Sequence, residues 1–189
     1  LRHRVGRYKS RLLTRDKRGH IKNQRSIEER PAAVAAKLRI GDVEVDTIVG
    51  KHSGSSSVLV TLVDRLSRFT LIAKARNKTA EAVSEALLLA AAPYRDKLYT
   101  LTYDNGKEFA LHQLIDEILE TTGYFAHPYS SWERGLNENT NGLIRQYFPK
   151  KTNFDDVSDE EIREVQDKLN RRPRKCLDRK TPNSIFLSN

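Results

Sequence analysis

The sequence predicts an α/β domain with five strands, in the order β-β-β-α-β-α-β-α, followed by one further C-terminal helix and a basic tail. Three observations carry that reading. From Gly41 onward, turn signals recur at regular intervals. The apolar pattern between them starts as alternation or short continuous runs and later switches to helical spacing. The net charge of +9 is confined to one end. Residues 1–25 hold ten basic side chains and one acid, so the rest of the 189 residues is neutral and able to bury a core.

The elements follow in order. Residues 1–30 are polar and basic without sustained periodicity, the composition of an arm that wraps on a partner. Pro31 and Gly41 bracket an Ala-rich short helix over 32–38. Asp42–Val49 alternates acidic and apolar residues and reads as a strand. Gly50–Ser56 is a Gly/Ser turn, and Val58–Val63 is an apolar run suited to a strand buried on both faces. Asp64–Ser67 reads as a hairpin turn before the returning strand Phe69–Ala75. Thr79 caps a helix running to about Pro93. Leu98–Tyr103 is a strand, and Leu111, Leu114, Ile115, Ile118 and Leu119 form one helical stripe. Tyr124–Ala126 is a short strand. Ser130 with Glu133 has the spacing of a capping box, opening a helix that Pro149 ends. Ser158 with Glu161 repeats the device for the helix closed by Pro173.

Composition removes several classes. No apolar run approaches a membrane span. The single cysteine, Cys176, excludes a disulfide scaffold and zinc sites built on paired cysteines, and it suits a reducing, cytoplasmic setting. The chain begins at Leu1 and contains no Met, so a fragment of a longer protein is expected. The basic end predicts a polyanionic partner, most often nucleic acid.

Three carboxylates stand where an active site would want them. Asp46 lies in the first strand, Asp104 opens an Asp-Asn-Gly turn directly after the fourth, and Glu138 lies on the helix after Ser130. Carboxylate oxygens without His or Cys select a hard ion, Mg²⁺ or Mn²⁺. Two such ions about 3.5–4 Å apart serve phosphoryl transfer. Each acid also has an ordinary reading: Asp46 as part of a solvated acidic face with Asp42 and Glu44, Asp104 as a turn residue, Glu138 as a surface helix acid. Asp64 and Glu133 compete, and fit better as a turn cap and as the capping-box acid. Arg145 lies two helical turns beyond Glu138 on the same face, placed to meet a phosphate.

Longer strings then carry a resemblance. Gly41 to Gly50 (Gly-Asp-Val-Glu-Val-Asp-Thr-Ile-Val-Gly), Tyr103 to Phe109 (Tyr-Asp-Asn-Gly-Lys-Glu-Phe) and the stretch Pro128–Gly142 with Arg145–Lys150 resemble the three acidic motifs of insertion-sequence-thirty family transposases. Asn170–Leu177 with Thr181-Pro182 resembles the family's closing segment. The 33 residues between Asp104 and Glu138 match the family spacing, while Val43 stands where the family usually has Trp.

The resemblance implies an RNase H-like mixed five-stranded sheet of the retroviral-integrase superfamily, with Asp46, Asp104 and Glu138 as catalytic metal ligands for one or, as expected, two Mg²⁺ or Mn²⁺ ions. It implies DNA cleavage at transposon ends and 3′-OH strand transfer by a homo-oligomer on paired ends. A hydrolytic nuclease or junction resolvase of the same fold, and a non-catalytic DNA-binding module, are the alternatives. The expected division is a basic arm over 1–40, a catalytic core over 41–150 and a C-terminal helix with basic tail over 151–189. DNA contacts are expected from Arg2, Arg4, Arg7, Lys9 and Arg11 in the arm, from Arg145, Lys150 and Lys151, and from Arg171, Arg172, Arg174 and Lys175 in the tail. Trp132, the only tryptophan, and Asn141 are further candidate contacts.

Overall fold

A computed structural model describes residues 21–51, 57–128 and 130–188. The arm contacts expected at Arg2, Arg4, Arg7, Lys9 and Arg11 lie outside the described residues.

Alternation in the first strand and a Val/Leu/Thr run in the second produce the centre of the sheet. Strand β1 (Asp42–Val49) pairs antiparallel with β2 (Val58–Asp64), which pairs antiparallel with β3 (Thr70–Ala75). On its other side β1 runs parallel to β4 (Thr100–Tyr103), and β4 runs parallel to β5 (Thr122–Phe125). The order is therefore β3-β2-β1-β4-β5, a mixed five-stranded sheet. A short helix α1 (Ala32–Ala35) precedes β1. Helices α2 (Ala80–Ala91) and α3 (His112–Leu119) cover one face, where Val43, Val45, Val60 and Leu62 meet Val83, Leu87, Ile115 and Leu119. On the opposite face Ile48, Leu59 and Ile72 pack with side chains of α4 (Gly135–Ile144) and α5 (Asp159–Arg171). Phe154, fully buried between these elements, anchors that second core. The last helix, α6 (Pro182–Phe186), stacks Phe186 on Phe69.

Both edges of the sheet are covered by specific polar contacts. At β3, Asn170 accepts from the Thr70 backbone N–H and donates to its carbonyl, and Gln166, one helical turn earlier, accepts from the Ile72 N–H. At β5, Ser26 bridges Phe125 and the Arg25 carbonyl accepts from the Phe125 N–H. Residues 21–40, the C-terminal half of the expected basic arm, pack on the body in part, with Ile21 buried in the core and Arg30 donating to Thr102.

Several local expectations hold. Thr79 accepts from the Ala82 N–H, Ser158 and Glu161 form a reciprocal capping box, and Asp64 accepts from Gly41, from the Ser67 N–H and from the Ser67 hydroxyl. Others are corrected. Ser130 makes no side-chain cap: the Glu133 N–H bonds to the Ser130 carbonyl in a 3-10 turn over 131–134, the Glu133 carboxylate is held by His127, and α4 begins only at Gly135. That helix loses regularity after Ile144, before Pro149. In α3, Ile115 and Leu119 are buried, but Leu114 and Ile118 face solvent, because His112 turns inward onto the Lys22 carbonyl. The acidic face of β1 is not solvated: Asp42 is closed by Arg39 and Thr100, and Glu44 by Arg65 and the Asn137 N–H.

Candidate active site

The site begins with strand register. Glu44 of β1 lies beside Thr102 of the parallel strand β4, so the same register two residues on sets Asp46, in the middle of β1, beside Asp104, the residue just past the end of β4. Asp46 accepts from the Thr47 N–H at 2.9 Å and from Asn141 Nδ2 at 2.8 Å. Asp104 accepts from the Gly106 N–H at 2.8 Å, the Asx turn that the Asp-Asn-Gly string announces. Gly106 leaves room for both carboxylates: a Cβ there would meet the Glu108 carboxylate and lie 2.8 Å from Asp104 Oδ1, so one of them would have to move. Glu108 itself is buried, accepts from the Thr47 hydroxyl and pairs with Lys78.

One cation joins the two aspartates. Arg134 places a guanidinium nitrogen 3.5 Å from Asp46 Oδ1 and another 3.3 Å from Asp104 Oδ2. Burial pushes the Asp46 carboxyl above its ordinary range; Arg134 opposes that shift and Asp104 adds to it. Arg134 is a residue that sequence reasoning missed. Its only signal was membership of the third motif string.

Glu138 is exposed on α4 and makes no hydrogen bond or ion pair with the described residues. No group of three acidic, His or Cys side chains closes on a single point among the described residues. The helix is nevertheless registered on the site, because Asn141, three residues on, holds Asp46 and also accepts from Thr61. Asn141, a candidate DNA contact, thus orients Asp46 from the helix while also lining a cleft along the end of β1.

The remaining candidates divide. Arg145 donates to the carbonyls of Val49 and Pro149, and with Lys150, Lys151 and Asn141 it lines a cleft of about 580 Å³ along the end of β1. Arg171 pairs with Asp167, and Arg174 donates to the Leu169 carbonyl. Arg172 and Lys175 are exposed with no acidic partner among the described residues. Trp132 is 75% exposed, so it is available to a ligand. Glu133 accepts from both the backbone N–H and Nδ1 of His127, whose Nε2 lies 3.4 Å from Glu28. The hydrogen bond to Glu133 raises the His127 pKa; burial works the other way on Glu133, yet His127 holds its carboxyl below the ordinary value.

A model of the integrase core domain matches residues 40–131. The transposase for insertion sequence element IS4351 of Bacteroides fragilis is 45% identical over 187 residues, which is 98% of this chain and 56% of that protein. Transposase InsI for insertion sequence element IS30A of Escherichia coli K12 is 42% identical over 171 residues, covering 88% of this chain and 43% of its own. The chain belongs to the insertion-sequence-thirty (IS30) transposase family. This family member spans about half the length of the curated relatives it matches. Among solved structures, the HTLV-2 integrase catalytic core domain in complex with magnesium, in its trimeric form, matches with a TM-score of 0.57 and 20% identity. That match covers 76% of this chain and 94% of the other, a likeness of fold.

Proposed function

We propose that this chain is the catalytic part of a DNA transposase that cuts DNA at transposon ends and joins the freed 3′-OH to DNA. The observation that carries the reading is the pair Asp46 and Asp104, held side by side by register and already sharing one cation, Arg134. An all-oxygen donor pair that gathers positive charge fits a hard divalent ion. Asp46, Asp104 and Glu138 would hold Mg²⁺ or Mn²⁺, two ions in our reading. Bound there, the metal supplies activation of the attacking oxygen and stabilisation of the leaving one. Glu138 would join from α4, since Asn141 on the same helix already fixes that helix to Asp46.

The chain's own residues do the positioning. Asn141 and the Thr47 N–H orient the Asp46 carboxylate, and the Gly106 N–H orients that of Asp104. Arg145, Lys150 and Lys151 line the cleft that leads along β1 and would border a DNA strand. Arg171, Arg172, Arg174 and Lys175 would add phosphate contacts, as would the arm. DNA is the proposed partner, with a second copy of the chain on the paired end, in the bacterial cytoplasm.

Asp104→Asn should keep DNA binding while abolishing Mg²⁺-dependent cleavage and the joining of pre-cut 3′-OH ends. Joining by the pure variant would sink the assignment. Cleavage by the wild-type chain without any joining would leave a nuclease instead.

A further inference from the structure

A second cavity, of about 360 Å³, is lined among others by Lys37, Arg65, Arg68, Arg174, Trp132 and Cys176. Its charges are unequal in availability. Arg65 is committed to Glu44, and Glu133 is committed to His127. Lys37 and Arg68 have no acidic partner among the described residues, and the buried Nε atoms of Arg68 and Arg174 have no hydrogen-bond partner there. Burial, then the nearby Arg68 and Arg65, holds the Lys37 ammonium below its ordinary pKa. Like charges gathered this way call for an anion. The exposed Trp132 indole stands at the same cavity with no ring stacked on it among the described residues.

We propose that this cavity takes one unpaired nucleotide of a DNA strand, with its base against Trp132 and its phosphate among Lys37, Arg68 and Arg174. The proposal rests on the DNA reading above and names what the site holds next to the strand being cut. A duplex is too wide for the space, whereas a single base presents a face to the indole. Glu44, on the cavity wall, is two residues from Asp46, about 7 Å along β1, so the occupant would sit a nucleotide or two from the aspartates.

The test uses the wild-type chain without metal and a labelled five-residue oligothymidine. Saturable quenching of Trp132 emission is expected, together with protection of Cys176, the single cysteine, from a thiol reagent. Lys37→Asn and Arg68→Asn suit the left-handed backbone at both positions, with φ of 56° and 64°. Each should weaken anisotropy-detected binding severalfold and lower the salt slope by about 0.7. Trp132→Ala should weaken it at least about fivefold, with Trp132→Phe retaining most of the affinity. Quenching by inorganic pyrophosphate but not by oligothymidine would overturn the proposal in favour of a plain anion site. Duplex binding without quenching, unchanged in all variants, would overturn it while leaving the transposase reading intact. Failure of the wild-type chain to bind any DNA would remove both.

Discussion

Removing the guanidinium that joins the two aspartates should tighten metal binding. In Arg134→Gln the side chain keeps hydrogen-bonding capacity but loses its charge. Contacts at 3.5 and 3.3 Å each carry a gross Coulomb attraction of about 5 kcal/mol at an effective dielectric of about 20. Most of that is cancelled by desolvation and by ordering of the long side chain. The three side chains are 14%, 21% and 34% exposed, and pairs open to solvent return about 0.2–1 kcal/mol each. Two such contacts are therefore worth about 0.4–2 kcal/mol, which an entering ion must displace. Arg134→Gln should bind Mn²⁺ roughly 2–30-fold more tightly. Calorimetry measures this directly, and the emission of Trp132, two residues away, follows it independently. The same variant should also gain more thermal stability from added metal than the wild type does. Equal or weaker Mn²⁺ affinity in a folded Arg134→Gln protein would refute the reasoning, because the cation would then support the site rather than compete for it.

Other predictions concern the framework. His127 gains a folded-state partner in Glu133 that raises its pKa, so its contribution is full below about pH 6.5 and is lost as pH rises through the higher folded value. Trp132 emission should show that transition, and His127→Gln should abolish it; a transition that persists in the variant would assign it elsewhere. Phe154→Ala should lower unfolding free energy by about 3–5 kcal/mol in urea titrations, since a fully buried ring is removed from between β1, α4 and α5. A drop below about 1 kcal/mol would mean that the second core collapses readily. Neutralising four arm residues, Arg2, Arg4, Arg7 and Lys9, should flatten the salt dependence of DNA binding by about 0.9 for each phosphate left without its cation. An unchanged slope would assign the arm to protein contacts.

What could be read from the residues was whatever is decided within a few positions. The Thr79 cap, the Ser158–Glu161 box and the Asp64 turn depend on neighbours three residues away, and all three stand in the structure. Asp104 was legible because a turn string follows an apolar strand, and Asp46 because the motif around it is long. Hidden were the partnerships that join distant segments. Arg134 meets carboxylates 88 and 30 residues away, and Asn141 meets Asp46 across 95. Glu133 has the spacing of a capping-box acid, but the His127 backbone and ring outcompete that local use. Asp42 and Glu44 look solvated until Arg39 and Arg65 supply the counter-charges that allow burial. The α3 stripe failed for a different reason: eight residues make barely two turns, and His112 supplied an inward contact that a hydrophobic count ignores.

The amides of Asn170 and Gln166 on β3, and the strap of residues 25–26 on β5, have a consequence for how copies of this domain can meet. On β3 the Thr70 N–H and carbonyl and the Ile72 N–H are engaged, and on β5 the Phe125 N–H, so another strand pairing along these stretches of either rail would first have to displace those contacts. That disfavours edge pairing in the proposed assembly on paired DNA ends and favours helix faces, loops and bound DNA. Loosening the Asn170 clasp, as in Asn170→Ala, would reopen one rail and turn a discrete complex toward aggregation.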